Sequence, residues 1–229
     1  MTGQGATYAD FEKIGASKDT WFASRKLDGA RCVCQVLAGE APRFFTRGGH
    51  EIKGTEKLGE QVLALLKDVR DVVLDGELCF PETADGINKG GLEDFQSLVG
   101  EVRKNKPNLE RANFCVFDFL QMEDFLRGES TQTLQERLEK LQQHFADRSN
   151  HDEKKKKKKA DLLLLSEPKD KVASLQDFSF RAGFQAIWGV QQVRVTTLEW
   201  LKSVADLDTT GGWEGFILRK NAPYKGKRR

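Results

Sequence analysis

Apolar residues along this chain follow two rhythms. Leu58, Val62, Leu65, Leu66 and Val69 recur at spacings of three and four, which predicts a helix over 55–69 with one buried stripe. Leu134, Leu138, Leu141 and Phe145 repeat the pattern over 133–145, opened by a Thr133/Glu136 capping box. Phe95, Leu98, Val99 and Val102 predict inward positions of a helix over 92–103. Leu198, Leu201 and Val204 mark another, with Thr196 and Glu199 as its capping box. A short helix fits Tyr8–Ile14 in an otherwise polar leader. Between the helices lie short apolar runs that read as strands: Trp21–Ala23, Cys32–Val36, Phe44–Phe45, Val72–Phe80, Asn113–Leu120, Leu162–Leu165, Gln192–Val195 and Trp213–Lys220. Many short strands with isolated helices predict an α+β fold of mainly antiparallel sheets flanked by helices, one domain over 1–229.

The punctuation is carried by glycine and charge. Asp28-Gly29 between two strand-like runs predicts a tight hairpin. Thr46-Arg47-Gly48-Gly49 and Asp208–Gly212 read as turns, and 83–91 as a polar, Gly-rich loop. The 171–188 stretch is mixed, with scattered Phe178, Phe180, Phe184 and Trp188. Residues 103–111 form a basic linker, solvated or able to follow a phosphate backbone. Six consecutive lysines, Lys154–Lys159, repel one another and predict a flexible loop over 150–161.

Composition narrows the classes. The net charge of 229 residues is only +2, so affinity for nucleic acid has to come from local clusters. The four cysteines, Cys32, Cys34, Cys79 and Cys115, have no C-x-x-C spacing and sit in apolar runs. They read as buried free thiols of an intracellular, reducing compartment, not as a zinc site or a disulfide framework. No run is long enough to span a membrane, and the N-terminus has no apolar core of a signal peptide.

Four places carry candidate chemistry. Lys26 stands two residues before the Asp28-Gly29 turn, with Arg25 and Arg31 close in sequence; nearby cations favour the neutral, nucleophilic amine. Arg47 is presented by its own turn, where it suits a phosphate. Asp75 and Glu77 lie two apart in an apolar strand and share a face, an arrangement costly to bury unless the carboxylates meet a cation, a metal or a hydroxyl. Phe117 alternates with Asp118, which predicts one aromatic and one acidic face; most such phenylalanines are core, and some stack on a nucleobase.

Five fragments occur in one order: Lys26-Leu27-Asp28-Gly29-Ala30-Arg31, Thr46-Arg47-Gly48-Gly49, Asp75-Gly76-Glu77-Leu78, Val116-Phe117-Asp118-Phe119 and Glu214-Gly215-Phe216-Ile217-Leu218-Arg219. Together they resemble the covalent nucleotidyltransferases, namely ATP-dependent DNA ligases, RNA ligases and mRNA-capping guanylyltransferases. Asp-Gly-Glu-Leu in place of the Phe-Gly-Glu of RNA ligases, and Glu-Gly in place of the Asp-Gly of capping enzymes, look most like a small ATP-dependent DNA ligase. Phe95-Gln96-Ser97-Leu98 with Val102-Arg103-Lys104, and Tyr224-Lys225-Gly226-Lys227-Arg228, are similar to further stretches of such ligases.

The resemblance implies an adenylation domain of two antiparallel sheets, a monomer acting on nicked double-stranded DNA, with RNA as the nearest alternative substrate. It implies that Lys26 attacks the α-phosphate of ATP to form lysyl–AMP, and that Arg31 and Arg47 serve the ribose or the nick phosphate. Glu77 would hold a ribose hydroxyl or a metal, and Glu214 would hold Mg²⁺. Phe117 would stack on adenine, Ser24 would contact the base edge, and Asp75 would be structural. The chain departs from the pattern at its end. The final Lys-x-Lys motif and the OB-fold domain of the family are expected beyond Arg229.

Overall fold

The structure is a computed structural model that describes residues 8–82, 92–149, 164–178, 182–211 and 213–226. The Gly-rich loop 83–91, the lysine run Lys154–Lys159, Leu162, Leu163, Phe180, Gly212 and Lys227–Arg229 lie outside the described residues.

The elements run α1 (Tyr8–Ala16), β1 (Trp21–Arg25), β2 (Ala30–Val36), β3 (Arg43–Thr46), α2 (Glu56–Leu66), β4 (Val72–Cys79), α3 (Phe95–Val102), β5 (Asn113–Gln121), α4 (Met122–Arg127) and β6 (Glu129–Thr133). They continue with α5 (Leu134–Ser149), β7 (Leu165–Ser166), a 3₁₀ turn (Leu175–Phe178), β8 (Ala182–Phe184), β9 (Ile187–Gly189), β10 (Gln192–Arg194), α6 (Leu198–Gly211), β11 (Phe216–Lys220) and β12 (Pro223–Lys225).

Two main sheets result. One has six strands in the order β3-β2-β4-β5-β9-β8, the other four in the order β11-β1-β10-β7; β12 and β6 form a separate pair. Pairing is antiparallel except for β5 with β9 and β10 with β7. The α+β reading with mainly antiparallel sheets therefore describes the molecule.

Alternation along the strands decides which face each sheet buries. In the six-stranded sheet Cys32, Cys34, Val36, Leu74, Leu78, Phe114 and Val116 face a core completed by two helices, with Val62, Leu65 and Leu66 from α2 and Leu138, Leu141 and Phe145 from α5. Leu65 and Leu141 are essentially fully buried, and truncating either to alanine costs about 2–5 kcal/mol. The four-stranded sheet has its own core, in which Ala23 and Val193 meet Trp200 and Val204 of α6 with Phe178 and Trp213. The opposite face of the six-stranded sheet carries two smaller apolar clusters, one around Val73 and Leu120 and one around Cys79 and Cys115, with the carboxylates of β4 between them.

Several local expectations change. The Asp28-Gly29 stretch is not a hairpin: β1 and β2 do not pair, β1 lying between β10 and β11 while β2 lies between β3 and β4. The residues between them cross from one sheet to the other. The cap of α6 is Thr197, whose Oγ1 accepts the Trp200 N–H at 3.0 Å, so the Thr196/Glu199 box is displaced by one residue. That helix continues through Asp208 to Gly211, where a turn was expected, because its tail extends past the Trp200–Val204 contacts as ordinary helix. In α3 only Leu98 is fully buried; Phe95 is 37% exposed, the short helix presenting too narrow a face to the sheet for both. The Thr133/Glu136 box forms as expected, with the Thr133 N–H donating to the Glu136 carboxylate at 2.7 Å.

Candidate active site

Lys26 sits where the chain leaves β1 and crosses between the sheets. Its backbone N–H donates to the Gly215 carbonyl at 2.8 Å, extending the β1–β11 pairing by one bond. Its side chain forms an ion pair with Glu214, both groups being partly exposed. Next to it Leu27 is buried against Cys79, Cys115 and Val190, with Phe117 and Trp188 at the edge. Gly29 then passes against β4 so closely that a Cβ there would lie 2.4 Å from the Leu78 carbonyl oxygen and 2.8 Å from Glu77 Cγ. Only glycine fits, which is the physical content of the Asp-Gly pair here. Gly215, at φ +137°, gives the Glu214 loop a backbone that other residues rarely adopt.

The face of β4 turned away from the main core carries Val73, Asp75, Glu77 and Cys79, of which only Glu77 is partly exposed. Arg31 of β2 lies opposite Glu77 in the register, and its guanidinium reaches diagonally to Asp75, with Nε donating at 2.5 Å and Nη2 also bonded. Burial pushes the Asp75 carboxyl up despite Arg31. Glu77 is half-buried, and burial raises it to about 7 against the pull of Arg31 and Lys26. The two carboxylates thus share a face as the spacing predicted, but Arg31 takes Asp75 and leaves Glu77 without a direct salt bridge among those described.

A bulge changes the reading of β5. Asp75 pairs with Asp118 and Gly76 with Val116, so Phe117 is the extra residue. A bulge rotates the strand locally, and Phe117 and Asp118 come onto the same face instead of opposite ones. The Arg31 guanidinium lies 4.6 Å from the Phe117 ring centroid and that of Arg219 5.8 Å. Asp118, 1% exposed, accepts from Arg137 Nε at 2.7 Å and Nη2 at 3.0 Å, and from Arg219. Burial alone would raise the Asp118 carboxyl, but Arg219 and Arg137 bring it below its usual value. Arg219 also donates to the Phe117 carbonyl at 2.7 Å, tying β11 to β5 across the gap between the sheets.

Lys26, Arg31, Glu77, Phe117 and Glu214 therefore meet along one seam. Ser24 is buried on β1 opposite Ile217, two residues before Lys26. Arg47 is exposed on the turn after β3; Cys32 pairs with Thr46, so Arg47 lies at the same sheet end as Arg31. Arg25 departs from expectation. It is buried and its guanidinium binds Glu93 at 2.6 Å, so its charge is engaged inside the seam rather than presented to the Lys26 amine. Arg219, Arg137 and Glu93 escaped sequence reasoning: Arg137 reads as the polar side of an amphipathic helix, and Glu93 follows a loop without a pattern.

Among the described residues no three His, Cys, Asp or Glu side chains converge to hold a metal ion. Mg²⁺ commonly uses one or two carboxylates together with substrate phosphates and water, and Glu77 and Glu214 fit that requirement. A cleft of about 700 Å³, lined by Gly54, Lys57, Gln61, Pro107 and Asn108, contains none of the seam residues. Its size does not compete with their chemistry. No described helix is long and apolar enough to cross a membrane, and all four cysteines are free and buried.

Comparison with known proteins bears on the family and the fold. A sequence-family model described as ATP dependent DNA ligase domain matches residues 6–163. Among solved structures, one named Pmar-Lig_Pre superposes with a TM-score of 0.65 at 19% identity, covering 99% of this chain and 44% of that one. The ATP-dependent DNA ligase of bacteriophage T7 in complex with ATP gives 0.64 at 15% identity, covering 98% and 64%. The ligase domain of M. tuberculosis LigD gives 0.50 at 18% identity, covering 92% and 52%. At such identities the structural likeness is one of fold, and the chain spans between 44% and 64% of these proteins. No curated protein matches the sequence. With the family model covering well over half of its length, the chain belongs to the ATP-dependent DNA ligase domain family.

Proposed function

We propose that this chain is the adenylation unit of a DNA-joining enzyme, with Lys26 as its nucleophile. The carrying observation is the Lys26–Glu214 pair at the junction of the two sheets, facing Glu77, Arg31 and Phe117. The partly exposed Lys26 ammonium gives a proton to solvent, and the amine attacks the α-phosphate of ATP. A nitrogen–phosphorus bond forms, the bond to pyrophosphate breaks, and lysyl–AMP remains. A DNA 5′-phosphate oxygen then takes the AMP and frees Lys26, and a 3′-hydroxyl displaces AMP to seal the nick. Such transfers depend mainly on positioning and charge stabilisation.

Each neighbour has a role in this scheme. Arg31, held by Asp75 through Nε and Nη2, keeps Nη1 for a ribose or phosphate oxygen. Arg47 meets the nick phosphate. Ser24 lies beneath the base edge, and Phe117 stacks on adenine. Bound Mg²⁺ would offset phosphate charge, with Glu77 and Glu214 as its oxygen donors. Intact-mass measurement after incubation with ATP and Mg²⁺ tests the scheme: the mass rises by one AMP, and pyrophosphate removes it. No gain with ATP, or a gain only with GTP, overturns it. Parallel joining assays on nicked DNA and nicked RNA decide the substrate sugar.

Phe117→Leu is expected to raise the KM for ATP roughly 5- to 100-fold with a smaller change in kcat, since base stacking on an aromatic ring is worth about 1–3 kcal/mol. Steady-state adenylation against ATP concentration measures it.

Glu77 is a second test position. Its role needs the carboxylate, so Glu77→Gln is expected to lose most of the adenylation rate. Its protonation also makes stability depend on pH. The folded-state pKa of about 7 exceeds the ordinary 4.5, so the folded chain holds the extra proton and stability falls as pH rises through this window. Glu77→Gln is expected to raise Tm at pH 8 and to leave it unchanged at pH 4. A parallel fall in stability in the variant would remove Glu77 as the cause.

A further inference from the structure

We propose that Glu93 is a positioning residue for the nucleophile: with Arg25 it clamps the chain on both sides of Lys26 and anchors the Glu214 loop. The proposal rests on Lys26 as the reacting group. Arg25 is the last residue of β1, and its side chain and that of Glu93 are 1% and 3% exposed, 2.6 Å apart. The Asp28 backbone N–H also faces the Glu93 carboxyl and works against the upward push of burial on it. One carboxylate thus pairs with the residue before Lys26 and faces the residue two after it.

Glu93 is itself anchored to the strand that carries Glu77. It bridges to Pro81 just beyond β4, flanked by bonds from Glu82 N–H to the Leu92 carbonyl at 2.9 Å and from Asp94 N–H to the Phe80 carbonyl at 2.8 Å. On its other side the Arg25 guanidinium lies 4.5 Å from the Trp213 ring centroid, and Trp213 immediately precedes Glu214. One guanidinium therefore joins three segments, those of Lys26, Glu77 and Glu214, from two different sheets.

The pair is poorly explained as a source of stability. Burial lowers the Arg25 guanidinium and raises the Glu93 carboxyl, so for both partners desolvation outweighs the mutual attraction. A buried pair of this kind can often be replaced by apolar residues at little or no cost in stability. What apolar residues cannot supply is the charge pairing with Arg25 beside the Asp28 N–H.

The test is the double variant Arg25→Met/Glu93→Leu, which removes both charges and keeps apolar volume. Expected are a cooperative unfolding transition near that of the unaltered chain, unchanged ATP affinity, and single-turnover AMP attachment slowed about 10- to 100-fold through misplacement of the amine. Acylation of Lys26 by acetic anhydride, read by peptide mass spectrometry against Lys220 as internal reference, is expected to increase several-fold as the amine is released from Glu214. A folded double variant with unaltered attachment and unaltered Lys26 acylation overturns the proposal. If the double variant does not fold, Glu93→Gln keeps shape and an acceptor for Asp28; it is expected to slow attachment without changing ATP affinity, and an unaltered rate in it overturns the proposal equally. An unaltered chain that takes up no AMP refutes the function proposed above, while the Lys26 acylation ratio still decides whether the clamp exists.

Discussion

A Lys26→Ala chain is expected to take up no AMP under any concentration of ATP and Mg²⁺, while melting at the temperature of the unaltered protein. The loss is complete because the bond itself is removed: Lys26 is the lysine that the inter-sheet crossing brings into contact with Glu214. Lys26→Arg is expected to be equally inactive, since a guanidinium stays protonated and cannot attack. Folding is untouched because the Lys26–Glu214 side chains are 36% and 44% exposed, and pairs in such surroundings contribute about 0–1 kcal/mol. Intact mass, peptide mapping and a thermal melt measure the three statements together. AMP found on another residue of the alanine variant would sink the assignment of the nucleophile.

Asp118→Ala is expected to have the opposite profile, a large loss of stability from a residue that does no chemistry. Asp118 faces Asp75 across β4 and β5, and the like charges are tolerated because Arg31, Arg137 and Arg219 surround them. Removing the Asp118 carboxylate leaves the Arg137 guanidinium, 3% exposed, without its carboxylate partner. Breaking a buried pair from one side costs about 3–5 kcal/mol, which in a chain of this size lowers Tm by roughly 6–20 °C. Because the arginines hold Asp118 below the usual carboxylate value, its contribution is present at neutral pH and lost only as pH falls through that lowered value. Urea or thermal unfolding at pH 7 and under strong acid measures both effects. Asp118→Ala melting like the unaltered chain would show that the network does not hold β5 to α5 and β11.

The residue types of the candidate site were legible in the chain, Lys26 and Glu77 from their local chemistry and Glu214 from the family resemblance. Lys26, Glu77, Arg31, Phe117 and Glu214 were all singled out from short fragments, and all reach the same seam. The periodic helices were equally legible, since a stripe at three and four residues is a local property: α2 and α5 lie where Leu58–Val69 and Leu134–Phe145 placed them. Errors of one residue at Thr197 and of several at Gly211 arose at helix ends, where neighbouring Thr196 and Thr197 offer equivalent caps and tertiary contact chooses.

What the tertiary structure decided is every feature that depends on partners distant in sequence. Asp28-Gly29 carries the local signal of a hairpin, but β1 pairs with β10 and β11 and β2 with β3 and β4, so the same dipeptide becomes a crossing and its glycine answers to the Leu78 carbonyl instead of to a turn. Alternation put Phe117 and Asp118 on opposite faces; the bulge against Asp75–Gly76, a property of two strands together, put them on one. Arg25 looked like a cation beside Lys26 until Glu93, on a segment 68 residues on, enclosed its charge. The amino-acid sequence by itself determined which groups were available and the period of each element. Pairing between distant segments decided which of those groups face the seam, because strand register, burial and ion pairing are energies of two partners and cannot be read from either one alone.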